Sequence, residues 1–346
     1  MARRFLWASL ALAPATLLIH YLADPGDTAD FILAAVALVP LAWLIGEATE
    51  HAAAHTGPGI GGFLNATFGN APELVIALLA VNSGKFDVVR ASLMGSIVGN
   101  LLLVLGFSLL FGPAGSLDRR SSFSSLGLVA VAVLLALIPA VPGFHGDPER
   151  HSIALVSIAP AIVLLVLYVA VTWRNLRRHR QEHVAEDTVH ETHWSLPVAL
   201  VVLGAATVVT ALIAEILVSS IDTFADNVGL SDFFVAAVIV AIVGNAAEHG
   251  GAVVVAHRGN IRLAAEIALA SAAQVCVFLI PAVALLAWAL RPLALSFRPV
   301  ELLSVAIATA LTAALLAQGR SDKWRGAVLV LAYAGFAAAV FAAGDR

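Results

Sequence analysis

Glu73 and Glu248 are carboxylates set in sequence otherwise apolar enough for the interior of a bilayer. Each closes a Gly-Asn-x-x-Glu segment, "GNAPE" at residues 69–73 and "GNAAE" at residues 244–248. Asn70 and Glu73 are three residues apart, as are Asn245 and Glu248, so each pair shares one helix face. Ser96 and Asn100 follow the first segment at i,i+4, and Ser271 and Gln274 follow the second at i,i+3. All eight side chains carry oxygen. A hard cation such as Ca²⁺ takes about six to eight oxygens from carboxylates, amides, carbonyls and water. The spans contain no cysteine and histidine cluster with soft-metal spacing, so a dedicated Zn²⁺ or Cu⁺ site is not expected.

An ionisable group at membrane depth is costly and points to function. Glu47, Glu50, Glu73, Glu215 and Glu248 are expected there, with Glu266 a further candidate and no lysine or arginine at comparable depth. Unpaired, such carboxylates either hold protons or share a cation. Burial and a neighbouring carboxylate both favour the protonated form. A divalent cation reverses that preference by supplying the missing charge. Ca²⁺ and H⁺ therefore become mutually exclusive occupants, and two glutamates releasing two protons for one Ca²⁺ would balance charge. His249 follows Glu248 and His51 follows Glu50; either could relay protons or tune its neighbour.

The elements that must position these residues are membrane helices. The chain of 346 residues is 60% hydrophobic and 12% charged, with mean hydropathy +0.94. That is far below the charged fraction of a soluble domain. Eleven apolar runs can each span a bilayer as a helix. They lie at about 5–22, 30–51, 60–81, 88–112, 122–141, 151–173, 195–220, 231–256, 262–290, 299–317 and 324–343. The runs are too long for a β-barrel and lack its alternation. The first, after Arg3 and Arg4, resembles a signal peptide in part but reads as an uncleaved helix. With the N-terminus cytoplasmic, 13 basic residues fall inside and 6 outside, so the C-terminus is expected outside. The longest polar connection, residues 174–194, carries His179, His183, His190 and His193 in no tight ligand pattern and reads as a solvated cytoplasmic linker. Cys276, the single cysteine, excludes an intrachain disulfide and reads as a core residue.

Residue n aligns with n+175 from 69 to 100 without gaps, and seven positions are identical, among them Asn70/Asn245, Glu73/Glu248 and Ser96/Ser271. Each half has five spans. An odd number makes the second copy enter the membrane from the opposite side, the inverted-repeat plan that binds substrate near the midplane. The reading is an all-α polytopic membrane protein: an N-terminal helix (1–28), a first five-helix repeat (29–173), the linker (174–194) and a second repeat (195–346).

On the paired segments "GNAPELVIALLAVNSGKFDVVRASLMGSIVGN" and "GNAAEHGGAVVVAHRGNIRLAAEIALASAAQ", the sequence resembles the Ca²⁺/H⁺ exchanger (CAX) family of the cation/Ca²⁺ exchanger superfamily. The resemblance covers nearly the whole chain. It implies that Glu73 and Glu248 are the central exchange carboxylates, surrounded by Asn70, Asn245, Ser96, Asn100, Ser271 and Gln274. It implies that Glu50 and Glu215 serve proton or cation access, and that the second and seventh spans slide against the rest. Glu266 and Ala270 stand where the family pattern implies glycines.

The resemblance implies an antiporter, not an enzyme, that exports cytoplasmic Ca²⁺ against H⁺; the short loops point to a prokaryotic cytoplasmic membrane. No cofactor beyond the transported ions and no nucleic-acid partner is expected. The alternative is a relative that exchanges Na⁺ or K⁺. An intramembrane hydrolase with two buried acids is disfavoured, because it needs paired aspartates and gives no reason for a repeat. A passive channel would carry uncoupled current.

Overall fold

The computed structural model describes residues 2–182 and 194–345. The chain folds into helices α1 (Ala2–Ser9), α2 (Leu12–Ala23), α3 (Asp27–Phe68), α4 (Ala71–Asn82), α5 (Phe86–Phe111), α6 (Arg119–Gly143) and α7 (His151–Glu182). After the linker come α8 (Leu196–Val228), α9 (Asp232–Gly244), α10 (Ala246–His257), α11 (Ile261–Ala289), α12 (Pro299–Leu316) and α13 (Lys323–Ala343). The linker histidines fall outside the residues whose side chains are described.

Among the described residues, nine helices are long and apolar enough to cross a membrane, or ten if the pair Ile221–Val228 and Asp232–Gly244, bent by 111°, forms one span. The expected eleven differ from this at one place in particular. The connection foreseen near residues 52–59 is helical, so the second span and the start of the third merge in α3. The rest of the third span is α4, whose 12 residues are too few to cross alone. Its helix begins afresh because Gly69 and Asn70 leave the helical path and Pro72 sits in the new first turn, where its missing N–H costs nothing.

The interior is built of small residues. Ala34, Ala37, Ala48, Ala236, Ala264, Ala268 and Ala272 are almost wholly buried, which lets helix backbones approach closely, as membrane packing requires. Leu22, Val201, Leu303, Ile307 and Leu331 stand exposed on the outer surface. In water such a surface would aggregate; in lipid it is solvated.

α3 and α8 form the most extensive helix pair. Phe31 stacks on Phe224 with centroids 4.1 Å apart. Beside them Thr223 donates to Asp27 at 2.6 Å and Asn227 to Thr28 at 2.7 Å. At the other end Trp194 stacks on His51 (4.6 Å), and His55 Nε2 lies 2.8 Å from the Trp194 carbonyl. The pair is thus tied at both ends.

Segments assigned by charge to one membrane face meet one another. On one face β1 (Gly115–Ser116) pairs antiparallel with β2 (Arg320–Ser321), and Arg262 bonds Asp118 at 2.8 Å. Asp118 also caps α6 through the backbone N–H groups of Ser121 and Arg120. The Ser121 bond and then Arg262 hold its carboxyl below the usual range. On the other face, the Arg90 guanidinium joins Asp87, Glu149 and the Ala294 carbonyl.

Gly95 marks the tightest crossing. A Cβ at this position would lie 1.9 Å from the Ala237 carbonyl oxygen, on the π-helical turn Val235–Val240 of α9. Gly95→Ala must force α5 and α9 apart and should cost about 2–3 kcal/mol, at the upper end for overpacking. Thermal unfolding in detergent would read this, with Gly127→Ala as control, since nothing lies within 4 Å of a Cβ there. Equal melting of both variants would show that the crossing yields easily.

Candidate functional site

The two Gly-Asn-x-x-Glu segments break their helices in the same way. Asn70 has φ −98° and ψ 16°, and Asn245 has φ −93° and ψ 7°. Both lie in the bridge region, outside helical geometry. In both, the asparagine carbonyl accepts from the N–H four residues on, Leu74 at 3.0 Å and His249 at 2.9 Å. A new helix starts there, and the glutamate falls in its first turn. Pro72 has no counterpart, because Ala247 occupies that place. The second break therefore needs no proline.

The partner helices match as well. α5 contains a π-helical turn at Gly99–Val104, and α11 contains one at Val275–Leu279. Offset by 175, these coincide to within one residue. Such turns disturb the helical ladder and concentrate at functional sites. No composition signal announces them, so sequence reading missed them.

The amides and hydroxyls meet across the repeats. Asn245 Nδ2 donates to Ser96 Oγ at 2.8 Å and to the Ala241 carbonyl at 2.9 Å. Asn100 Nδ2 donates to the Ser96 carbonyl at 3.0 Å and faces Asn245 Oδ1 at 3.4 Å. Asn70 Nδ2 faces Gln274 Oε1 at 3.4 Å. Ser271 Oγ donates to Glu248 Oε2. Residues 204, 149 and 145 positions apart in the chain thus form one polar layer inside an apolar bundle.

The carboxylates belong to this layer. Glu73 is 7% exposed, and its charge interacts with that of Glu248. Its Oε2 is buried without a hydrogen-bond partner among the described residues. Gly244 makes the room: a Cβ there would lie 3.2 Å from Glu73 Cγ. The two repeats are not in the same state, because Ser271 binds its own Glu248 whereas Ser96 is held by Asn245 of the other half. His249 packs near Gly99, where a Cβ would approach its Cε1 to 3.9 Å, and its Nε2 is buried with no partner among the described residues.

Other expected acids lie elsewhere. Glu50 and Glu215 are exposed, not buried, and the structure does not bring them into the polar layer. Glu47 is 3.7 Å from His51 Nε2 toward the Trp194 end of α3. Glu266 pairs with Arg262 at 3.3 Å, which draws it away from the centre. Two basic residues are buried, at the starts of their helices rather than beside the carboxylates. Arg90 is 1% exposed and Arg325 is 4% exposed. Both reach burial through long side chains that bridge several segments, Arg90 toward Glu149 and Arg325 toward Gln318 and Asp322. Neither is paired with Glu73 or Glu248. Among the described residues no three His, Cys, Asp or Glu side chains cluster as a metal site. A cation at the layer would complete its shell from amides, hydroxyls and carbonyls.

A family model described as "Sodium/calcium exchanger protein" matches residues 28–177 and 198–342. The chain belongs to this family. It is 39% identical over 316 residues to the Ca²⁺/H⁺ antiporter ChaA of Bacillus subtilis, covering 88% of this chain and 89% of the relative. It is 32% identical over 348 residues to a Ca²⁺/H⁺ antiporter of Aphanothece halophytica, covering 94% and 92%. The structure of native YfkE superposes with TM-score 0.82 at 32% identity, covering 99% of this chain and all of that one. A structure of an H⁺/Ca²⁺ exchanger, CAX, shares the fold with TM-score 0.73 at 16% identity, covering 99% and 92%.

Proposed function

We propose that this chain is a Ca²⁺/H⁺ antiporter that exports cytoplasmic Ca²⁺ in exchange for H⁺, with both ions competing for Glu73 and Glu248. The observation that carries the reading is the convergence of Glu73, Glu248 and six amide and hydroxyl side chains from both halves into one buried layer. The two matched relatives named as Ca²⁺/H⁺ antiporters support the ion pair. Two carboxylates whose charges interact cannot both stay ionised in an apolar interior without a cation. When Ca²⁺ enters, it supplies that charge and the protons leave. When Ca²⁺ leaves, protons return. Glu73 Oε2, having no bonded partner among the described residues, is free to take either.

In this reading residues 29–173 and 195–346 are the two inverted repeats, residues 1–28 add a helix and 174–194 are a cytoplasmic linker. Asn70, Asn245, Ser96, Asn100, Ser271 and Gln274 complete the ion shell. His249 tunes Glu248. Glu50 and Glu215, on the exposed faces of α3 and α8, meet ions on approach. The tied α3 and α8 pair moves as a unit to change access. The N-terminus is cytoplasmic, as the charge bias demands.

Reconstitution in liposomes with an internal pH dye tests this. Under a proton gradient, external Ca²⁺ should trigger proton movement, and Mg²⁺, Na⁺ and K⁺ should not. Movement triggered by Na⁺ or K⁺ instead would reassign the transported ion while keeping the site.

A further inference from the structure

Between α6, α7 and α11 lies a cleft of about 670 Å³, separate from the polar layer except at its floor, where it reaches Gln274. Its mouth is where α6 and α11 begin. Arg120, Arg174 and Arg262 surround the mouth, with Ser121, Ser124 and Thr172 beside them. Two acids are present, Asp118 and Glu266, and both are already bonded to Arg262. Arg120 and Arg174 therefore face the cleft with no acidic partner among the described residues. Leu128, Val171 and Val277 add apolar surface from all three helices, interleaved with Ser125, Tyr168 and Gln274.

The charge at the mouth separates two uses of the cleft. A cation route would not carry at its entrance two arginines with no acidic partner among the described residues. A phospholipid has the complementary order, an anionic phosphate at the membrane surface and hydrocarbon beneath. Basic pockets between membrane helices at the headgroup level are the usual receptors for such lipids. Trp173, exposed next to Arg174, is a residue type that sits at headgroup depth. The outer face of α7 beside the cleft continues as an apolar groove along Leu165, Val166 and Val169.

We propose that this cleft binds an anionic phospholipid of the adjoining leaflet, its phosphate held between Arg120 and Arg174 and an acyl chain lying against Leu128, Val171 and Val277. Planar guanidinium groups suit phosphate oxygens. The Ser121 and Thr172 hydroxyls can donate to the same headgroup. Because the floor of the cleft includes Gln274, the lipid stands one side chain away from Asn70.

Native mass spectrometry of the full chain in neutral detergent would measure retention of phosphatidylglycerol, phosphatidylcholine and inorganic phosphate. Phosphatidylglycerol should be retained in preference to phosphatidylcholine and resist displacement by inorganic phosphate. The double variant R120Q/R174Q should weaken it about thirtyfold, from the loss of two basic contacts at an anionic surface. Leu128→Trp, which leaves every arginine in place, should also weaken it by filling the acyl portion; this variant decides if the double variant does not fold. Equal retention of both lipids would overturn the proposal, as would undiminished phosphatidylglycerol in folded variants. Displacement by inorganic phosphate at equal concentration would also overturn it, in favour of a free-anion site. The measurement reads binding alone, so its failure leaves the transport reading untouched.

Discussion

Glu73→Gln and Glu248→Gln should each reduce Ca²⁺-triggered proton flux to the level of empty liposomes, a loss on the order of a hundredfold or more. Gln has nearly the shape of Glu, so the packing against Gly244 survives. It cannot release a proton, and it contributes no charge to a cation. One substitution thus removes both halves of the exchange. Stability should not fall, because a buried neutral amide is less costly than a buried carboxylate. Unchanged melting together with absent flux is the expected pair of results. The Glu248 variant carries a further signature, since Ser271 donates to Glu248 Oε2 and would face an amide. Ser271→Ala should therefore weaken Ca²⁺ dependence in the parent chain and add little in Glu248→Gln. Either glutamine variant retaining parental flux in verified vesicles would sink the assignment of that glutamate.

Arg90→Met should destabilise the protein by about 3 kcal/mol or more, the usual cost of removing one partner from a buried ion pair. Methionine keeps much of the volume and loses the charge. Glu149 and Asp87 then lose their shared cation, and the Ala294 carbonyl loses its donor. Arg90 also lies within electrostatic reach of Glu301. Three segments meet at this guanidinium: the start of α5, the connection between α6 and α7, and the connection after α11. Partial exposure of Asp87 and Glu149 lets water offset part of the cost, which sets the expectation at the lower end of the range. Fluorescence-detected melting in detergent gives the value. A variant melting within a degree of the parent would mean that the outer connections hold without Arg90.

The membrane class, the helical class and the paired motifs were legible in the sequence. Apolar runs of span length leave only helices or barrels, and run length excluded barrels. Rare polar residues at matching positions exposed the repeat, because each one in lipid is costly and two matching sets are not a coincidence of composition. The positions of Asn70, Glu73, Asn245 and Glu248 followed from that. Residue depth was less legible. Glu50 and Glu215 read as buried because their neighbours are apolar, yet each sits on an exposed face, since helical phase and not local composition decides which side turns inward. The burial of Arg90 has no local signal either, because its long side chain enters a pocket assembled from distant segments.

What the sequence determined by itself is the set of oxygen-bearing side chains and the two-fold order in which they recur, because intramembrane polarity is selected residue by residue. What only the tertiary structure decided is which of them meet. Ser96 pairs with Asn245 and Asn70 with Gln274, although n+175 symmetry would place Asn70 opposite Ser271. The side chains themselves differ, since Gly99 stands at the counterpart of Gln274, and the packing differs too. Gly95 lets α5 press on α9 within backbone contact, while its counterpart Ala270 faces the open cleft. One methyl group on one side of a near-symmetric pair thus accompanies two different environments. Such asymmetry is a property of helix surfaces in contact, and it exists only once both halves have folded together.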